Sequence, residues 1–438
     1  MECSRTSTRF AAYSTQLRCA MRHFLPVCGL PLCSGDHRVR WTDRLLTIAL
    51  LLLVWEQAGS LREAFAAMRE QLIAMYPTRR RPGTHLEGFL KAWRTRSARL
   101  LQPLVAVLRA HTQRLAGTAW RWRSWVVMGV DGSRVNCPRT AENERGLGCA
   151  GKQRTTPQLL LVTVYHVVSN LPWAWRRTRG DGSERALLLE MLAELPENTL
   201  LLMDAGLGGY ETIAQLQAAG HALVLRVGRN VQLLRKLGYY VRERAGIVYL
   251  WPDAHRKQPP LTLRLVTLQT ARGRRMALLT NVLDERRLSD ADVAELYRQR
   301  WAVEVMHRTL KQTFGKQKLR TQTPDLAACE LDWSMAGLWL LSLMNRAAAP
   351  PQQQISPAAA LRVVRTALRR GRRVTGKHWL QVQLRNAVVD TYHRTRPKKA
   401  RDWPHKKSPA PPGTPKIRTA TRAEIRRAQA WKRKNEAA

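Results

Sequence analysis

Residues 125–134, WVVMGVDGSR, decide the fold class of this chain. An apolar run of this length, bounded by turn residues, predicts a buried β-strand that ends at Asp131. The same arrangement recurs in residues 199–206, TLLLMDAG, where a second apolar run ends at Asp204. In both cases a glycine follows closely, so the backbone can turn away. We therefore expect two carboxylates to project from the edge of a sheet.

The pattern around these two runs predicts an α/β fold. In chain order we expect strands at 126–130, 159–168 and 171–176, a helix at 184–195, a strand at 199–203, a helix at 210–219, a strand at 222–227 and a long helix from Ser289 to about residue 313. Strand-like segments between residues 228 and 279, separated by glycine and proline, predict a β-rich insertion. Such alternation of strands and helices is typical of an α/β sheet.

The long helix carries the most informative spacing in the chain. At about 100° per residue, Tyr297, Arg300, Glu304 and Lys311 fall within roughly 60° of one another. A carboxylate on such a face can bind a metal while the arginine, lysine and tyrosine hold phosphates. Taken alone, the spacing also suits an ordinary solvated helix with charge pairs one turn apart.

Two neighbours on this helix have less specific roles. Trp301 points about 100° away from Arg300 and is expected to bury the helix against the sheet. His307 lies one turn beyond Glu304 and could meet DNA or a metal-bound water. A packing or surface role for this histidine is the favoured reading.

Asp131, Asp204 and Glu304 form a candidate metal site. Three carboxylates are the minimum protein set for two Mg²⁺ ions about 4 Å apart in phosphodiester transfer, and Mn²⁺ is a plausible substitute. Hard cations prefer oxygen ligands, so no cysteine or histidine is needed. Each aspartate alone would also suit an Asx turn at the end of a strand. The combination with the helical spacing favours the metal site.

The same motifs carry a family resemblance. The two aspartate motifs, the segment at 279–281 (LTN) and the helical spacing resemble the IS-four family of bacterial insertion-sequence transposases, over roughly residues 120–345. The resemblance implies a ribonuclease-H-like core with a β-strand insertion between the second aspartate and the glutamate. It also implies that Asp131, Asp204 and Glu304 are the catalytic DDE triad and the metal ligands.

The resemblance further implies residues that contact DNA. Tyr297, Arg300 and Lys311 would bind phosphates near the scissile bond. In family members that cut through a DNA hairpin, an aromatic residue of the insertion holds a flipped base, and Trp251 is the nearest candidate. A core tryptophan is the favoured alternative for this residue.

Composition also points to nucleic acid. The chain carries 74 Lys and Arg against 32 Asp and Glu, a formal net charge of +42, which would cause strong self-repulsion without a polyanion. Residues 351–438 alone hold 23 basic against 4 acidic residues, a net charge of +19. We expect phosphate contacts there, with binding that weakens steeply as salt rises.

The cysteines and the apolar segments indicate the compartment. Seven cysteines without a metal-finger pattern are read as reduced thiols. The apolar run at 45–54 is about half of a bilayer span and predicts a buried helix. No signal peptide is evident. These features favour a cytoplasmic, nucleoid-associated protein.

We expect three regions. They are a helical, DNA-binding region at 1–120, a catalytic domain at 121–345 with its insertion at about 228–279, and a basic DNA-binding or oligomerisation region at 346–438 that is partly disordered. A proline-rich stretch at 404–415 is expected to be a linker, and the basic helix at 422–434 is expected to order only on DNA.

The predicted function is that of a DDE transposase. It would bind the inverted-repeat ends of its element, cleave and transfer DNA strands with divalent metal ions, and work as a dimer or larger assembly on DNA. One alternative is a domesticated, non-catalytic DNA-binding protein. Another is a metal-dependent nuclease that cuts without joining.

Overall fold

The computed structural model describes residues 12–25, 38–57, 59–77, 81–150, 155–269, 275–370, 378–389 and 413–436. Its amino-terminal part is helical. The helices there are α1 (Ala12–Phe24), α2 (Asp43–Trp55), α3 (Leu61–Met75) and α4 (Leu86–Ala116). Thr42 caps α2 by accepting a hydrogen bond from the backbone N–H of Leu45, and every residue from Leu45 to Trp55 is buried. The buried helix expected from the apolar run is therefore confirmed.

A ten-stranded mixed sheet follows and confirms the α/β class. Its first nine strands and their helices are, in chain order, β1 (Val126–Asn136), α5 (Ala141–Gly146), β2 (Gln158–His166), β3 (Leu171–Arg179), α6 (Glu184–Leu189), β4 (Thr199–Met203), α7 (Tyr210–Ala218), β5 (Ala222–Val227), β6 (Gln232–Arg235), β7 (Ile247–Leu250), β8 (Leu261–Gln269) and β9 (Arg275–Thr280). The helix expected over 184–195 ends at Leu189, and a short 3-10 turn follows it.

The strand order is β10-β6-β7-β8-β9-β5-β4-β1-β2-β3, where β10 comes from the carboxyl-terminal segment. Strands β1, β4 and β5 run parallel, whereas β2 and β3 pair antiparallel beside β1. The expectation that the first strand ends at Asp131 is wrong. Because β2 continues to pair with it, β1 runs through Asp131 to Asn136, whereas β4 does end at Met203, directly before Asp204.

The remaining elements after the sheet are α8 (Asp290–Gln299), α9 (Trp301–Arg308), a π-helical turn (Thr309–Thr313), α10 (Pro324–Ala348), α11 (Pro357–Arg370), α12 (Trp379–Arg385), β10 (Lys416–Thr419) and α13 (Arg422–Glu436). The single long helix expected from Ser289 is thus three pieces. The helical backbone is wound more tightly at Arg300. The N–H of Arg300 donates to Tyr297 O at 3.2 Å, and the carbonyl oxygen of Arg300 accepts from Val303 N at 3.2 Å. These bonds span three residues instead of four.

Helix α10 is the core helix on one side of the sheet. Within the described residues it alone is long and apolar enough to cross a bilayer, and 83% of its apolar window is buried by the protein. Its indoles are satisfied inside the fold, since Trp333 donates to Ser97 Oγ at 2.7 Å and Trp339 donates to Thr112 Oγ1 at 2.9 Å. These contacts fasten α10 to α4, as expected of a buried helix in a folded domain.

The carboxyl-terminal segment is folded onto the sheet. Strand β10 pairs in parallel with β6, and α13 buries Ala428 completely against the core. Glu424 accepts hydrogen bonds from Arg418 and Arg256. The expectation that this basic helix orders only on DNA is wrong, because its apolar face and its ion pairs already have partners within the chain. Most of the proline-rich stretch expected at 404–415 lies outside the described residues.

Among the described cysteines, Cys19, Cys137, Cys149 and Cys329 are free thiols. The thiol of Cys137 is buried, which raises its pKa to about 12. A thiol with that pKa stays protonated at neutral pH and is a poor nucleophile. This cysteine therefore acts as a small core residue.

Candidate active site

Asp131 and Asp204 lie beside each other on parallel strands. Val130 of β1 pairs with Met203 of β4, so the two aspartates follow at matching positions on neighbouring strands. Neighbouring strands are about 4.8 Å apart. Because β4 stops there, Asp204 begins a 3-10 turn and is free to face its neighbour. The sheet thus brings together two carboxylates that are 73 positions apart in the sequence.

Helix α9 packs directly over this part of β1. A Cβ added to Gly129 would lie 3.1 Å from Val167 Cγ1 and 3.8 Å from the carbonyl oxygen of Arg300, so the glycine allows the close approach of the helix. Alternate residues of a strand share a face, and Asp131 therefore points toward the helix, as Gly129 does. The side chain of His307 reaches it there, with Nδ1 at 3.6 Å from Asp131 Oδ2.

His307 is a buried packing residue that also borders the site. Its side chain is 6% exposed, and Nε2 lies 3.3 Å from Thr163 Oγ1 on β2. Thr163 is the residue that pairs with Asp131 across the two strands. The imidazole is thereby held next to the side chain of Asp131, while its Nδ1 has no hydrogen-bond partner among the described residues.

Glu304 faces the same cleft from the helix. A cleft of about 540 Å³ is lined by Asp131, Glu304, His307 and Lys311, among others, whereas Asp204 is not part of its lining. Arg300 Nη2 donates to Glu304 Oε1 at 2.5 Å. The glutamate is therefore held by the arginine one turn before it.

Arg300 and Tyr297 are buried and have hydrogen-bond donors without partners among the described residues. The Arg300 atoms Nε and Nη1 and the Tyr297 hydroxyl are buried without hydrogen-bond partners among the described residues. Burial, reinforced by the charge of Asp204, raises the pKa of Tyr297 to about 12 even though Arg300 opposes the shift. Burial also works to lower the pKa of Arg300, but Tyr297, Glu304 and Asp204 outweigh it and raise that pKa. Both side chains are therefore protonated donors beside Asp204.

Lys311 lies in the π-helical turn and is half-buried. Burial lowers its pKa, Arg134 adds to the decrease, and the carboxylate of Asp131 opposes it. The extra residue in a π turn changes the direction of the side chains that follow. Lys311 nevertheless lines the cleft together with Asp131 and Glu304, whereas Tyr297 and Arg300 are not among the lining residues of that cleft.

The three predicted metal ligands lie in one region of the fold, but they are not grouped as the ligands of a bound metal ion would be. No three His, Cys, Asp or Glu side chains are grouped to hold a metal ion within the part of the chain that the structure describes. The residues still fit a hard cation chemically, because they offer carboxylate oxygens and Asp204 Oδ1 is buried with no described partner. Glu304 would have to share its carboxylate with Arg300. The metal site stays a prediction.

A fourth carboxylate, that of Glu184, was missed by sequence reasoning. It sits against the two glycines that follow the aspartates, since Cβ atoms added to Gly132 and Gly206 would lie 2.5 Å from Oε1 and 3.7 Å from Oε2 of Glu184. Burial raises the pKa of this glutamate, and the charges of Asp131 and Asp204 raise it further. In the sequence it directly follows Ser183, so it looked like an ordinary acidic residue in the first turn of a helix.

The two tryptophans singled out from the sequence differ from each other. Trp251 is 2% exposed, its indole N–H donates to Gln258 O at 2.8 Å, and the Arg256 guanidinium lies 4.5 Å from its ring centre. A base could reach this ring only after Arg256 moved. The expectation that Trp301 anchors the helix is wrong, because Trp301 is 52% exposed and Val303 is buried in its place.

Comparisons with known proteins point in one direction. The family model described as "Transposase DDE domain" matches residues 126–340. The chain is 30% identical over 226 residues to "Transposase InsG for insertion sequence element IS4" of Escherichia coli (strain K12). That match covers 48% of this chain and 50% of the relative, so it spans about half the length of each.

One solved structure is also similar, the "piggyBac transposase synaptic complex with hairpin DNA". It has a TM-score of 0.41 and 10% sequence identity, and covers 92% of this chain and 86% of that one. A TM-score of this size does not establish a shared fold.

Proposed function

Since this chain carries a transposase DDE domain and is a distant homologue of an IS4 transposase, we propose that it is an active transposase. It binds the inverted-repeat ends of an insertion sequence, hydrolyses one strand to expose a 3′-hydroxyl, and joins that hydroxyl to target DNA. The observation that carries the proposal is the matching position of Asp131 and Asp204 on paired strands, with the helix of Glu304 packed over them.

We propose that the core is ribonuclease-H-like. The order β3-β2-β1-β4-β5, with β2 antiparallel to β1 and with β1, β4 and β5 parallel, supports this. The strands β6 to β9 lie between Asp204 and Glu304 in the chain, where the resemblance implies an insertion. Both the core and the insertion belong to the same sheet.

Asp131, Asp204 and Glu304 are the proposed ligands of divalent ions. When bound, two Mg²⁺ or Mn²⁺ ions would lower the pKa of the attacking water or hydroxyl and would stabilise the negative charge on the leaving oxygen. The protein's contribution is to hold these carboxylates in position at the edge of the sheet. Arg300 supports this role because its charge already stabilises the Glu304 carboxylate.

Tyr297, Arg300 and Lys311 are the proposed DNA contacts. Arg300 has buried N–H donors without described partners, and Tyr297 has a hydroxyl in the same state. A phosphate oxygen would satisfy such donors and remove the cost of leaving them unpaired. Lys311 adds a positive charge beside Asp131. These residues would fix the scissile phosphate in line with the carboxylates.

Other basic surfaces are proposed to hold the rest of the DNA. On α13 the side chains of Arg422, Arg426 and Arg433 are exposed, while its apolar face is packed on the sheet. Exposed arginines can neutralise backbone phosphates without reading the bases. Two element ends must be held together, so the proposed working species is at least a dimer on DNA, in the cytoplasm.

The test is a strand-transfer assay with purified protein, Mg²⁺ and a DNA fragment that ends in the element's terminal repeats. Joined products are expected. Asp131→Asn, Asp204→Asn and Glu304→Gln should each abolish them while leaving the binding of DNA in place. Binding without cleavage by the unaltered protein would favour the domesticated DNA-binding protein, and cleavage without joining would favour a nuclease.

A further inference from the structure

The carboxylate of Glu184 occupies a niche formed by two glycines. A Cβ on Gly132 would lie 2.4 Å from Glu184 Cδ and 2.5 Å from Oε1, so any other residue at position 132 would displace this side chain. On the other side, a Cβ on Gly206 would lie 3.7 Å from Glu184 Oε2. Gly132 directly follows Asp131, and Gly206 is two residues after Asp204. The glutamate therefore lies between the two aspartate motifs.

The need for glycine at position 132 comes from this contact. Gly132 does not have a positive φ angle, so its backbone conformation is open to any residue. It lies within β1, where a glycine weakens the strand and often marks a close approach of another group. The group that approaches here is the carboxylate of Glu184.

This carboxylate has no counter-charge bound to it. Among the described residues none donates a hydrogen bond to Glu184 or forms an ion pair with it within 4 Å, although Arg134 and His307 act on it electrostatically. Asp131 and Asp204 both repel it. A bound cation removes such repulsion between neighbouring carboxylates.

Buried polar groups around the same point also lack partners. His307, whose side chain is 94% buried, directs an unpartnered Nδ1 toward Asp131 from 3.6 Å. Arg300 is 90% buried and has two unpartnered nitrogens, and Asp204 Oδ1 is itself buried without a described partner. Buried polar groups of native proteins are nearly always satisfied. A cation can satisfy the oxygen of Asp204, whereas the Arg300 nitrogens are donors that an anion such as a phosphate would satisfy.

We propose that Glu184 is a fourth carboxylate ligand of the cation site, binding the divalent ion held by Asp131 and Asp204. This inference rests on the proposed function, because it adds a ligand to that site. Oxygen-rich sites suit Mg²⁺ and Mn²⁺, which take up to six oxygen ligands from protein, water and phosphate. The fourth carboxylate binds the ion from the side of α6, opposite the helix that carries Glu304.

Binding of Mn²⁺ by the full chain in the absence of DNA tests the proposal, measured by titration calorimetry and by the loss of the free-ion electron paramagnetic resonance signal. Glu184→Gln keeps the shape of the side chain and removes its charge. We expect it to weaken Mn²⁺ binding by roughly tenfold or more. Glu190→Gln, at the carboxyl-terminal end of the same short helix, where the side chain is exposed, is the matched control and should bind as the unaltered protein does.

Gly132→Ala provides a second variant that leaves Glu184 in the sequence. The three atoms nearest to the added methyl group all belong to the flexible side chain of Glu184, so the fold should persist while the carboxylate is displaced. We expect a loss of Mn²⁺ affinity similar to that of Glu184→Gln, with a melting temperature close to that of the unaltered protein.

Asp131→Asn separates this inference from the proposed function. If Asp131→Asn loses Mn²⁺ binding while Glu184→Gln and Gly132→Ala retain full affinity, the fourth ligand is ruled out and the proposed site stands. If Asp131→Asn also binds Mn²⁺ normally, the cation site itself is in the wrong place and both proposals fail. Loss of binding in all three variants, with Glu190→Gln unaffected, supports the assignment of Glu184.

Discussion

Arg300 Nη2 donates a hydrogen bond of 2.5 Å to Glu304 Oε1, and both side chains belong to the spacing that makes this chain resemble a transposase. The ion pair fixes the position of the Glu304 carboxylate on its helix. It also leaves two nitrogens of the guanidinium unused, so one arginine can orient the glutamate and still bind a phosphate.

Replacing Arg300 by lysine should lower strand cleavage and transfer by about 10- to 100-fold, because a lysine cannot hold Glu304 and a phosphate in the same fork. The measurement is the initial rate of cleavage at saturating Mg²⁺. Arg298→Lys is the matched control, since Arg298 is exposed and, within the part of the chain that the structure describes, donates only to Ala294 O, one turn before it. Equal rates for both variants would remove Arg300 from the site.

Replacing Lys311 by methionine should weaken the binding of DNA and reduce the slope of log affinity against log salt by about 1, as expected for one lost phosphate contact. Binding is measured by fluorescence anisotropy in the presence of a chelator, so that no strand is cut. Lys91→Met on the exposed side of α4 serves as the control. An unchanged salt slope in Lys311→Met would show that this lysine does not touch the backbone.

The buried ion pair behind the site should control stability. Lys316 Nζ donates to Glu330 Oε1 at 2.8 Å, and both side chains are no more than 3% exposed. Glu330→Gln leaves a buried lysine without its counter-charge, which should cost about 3–5 kcal/mol. Thermal or urea unfolding measures this, with the exposed Glu295→Gln as control. A change below about 1 kcal/mol would mean that water reaches Lys316.

The docking of the carboxyl-terminal segment should weaken in acid. Hydrogen bonding from Arg418 outweighs burial and, with Thr421 and Arg256, lowers the pKa of Glu424 to about 2 from its ordinary value of 4.5. A lowered pKa in the folded state stabilises the fold above the unfolded value, so this stabilisation is complete above about pH 4.5 and is lost as the pH falls toward 2.

Hydrogen exchange of β10 and α13, followed from pH 6 to pH 3, measures that loss. Glu424→Gln should expose both elements more at pH 6 and should flatten the additional dependence on pH. If the unaltered protein and Glu424→Gln respond to acid in the same way, Glu424 does not fasten this segment.

Much of the sheet could be predicted because each strand carries its own local signal. The runs before Asp131 and Asp204 are buried on both faces, and strands of this kind have continuous apolar sequences. The helical spacing predicted Glu304 and Lys311 on one face, and these two residues line one cleft, whereas Tyr297 and Arg300 are not among its lining residues. The pairing of the two strands, which sets the aspartates side by side, is a long-range property.

What the sequence did not reveal depends on contacts between distant segments. Glu184 resembled an ordinary first-turn glutamate, and Gly132 resembled a turn glycine, yet they fit together in space. Strand β10 pairs with β6 about 180 positions earlier in the chain, so no local sequence pattern predicts this pairing. Trp301 was expected in the core because it points away from Arg300, whereas Val303 and Met306 are the buried residues and the indole is exposed.

The most direct test of the central claim replaces each proposed ligand by cysteine. A thiolate binds Mg²⁺ poorly and binds the softer Mn²⁺ better. If the replaced residue is a metal ligand, the activity of the cysteine variant therefore depends on which of the two ions is present. We predict that Asp131→Cys, Asp204→Cys and Glu304→Cys are inactive in strand cleavage with Mg²⁺, and that Mn²⁺ restores part of the activity. Full cleavage with Mg²⁺ in any of these variants would contradict the account for that residue, as would the absence of rescue by Mn²⁺ in all three.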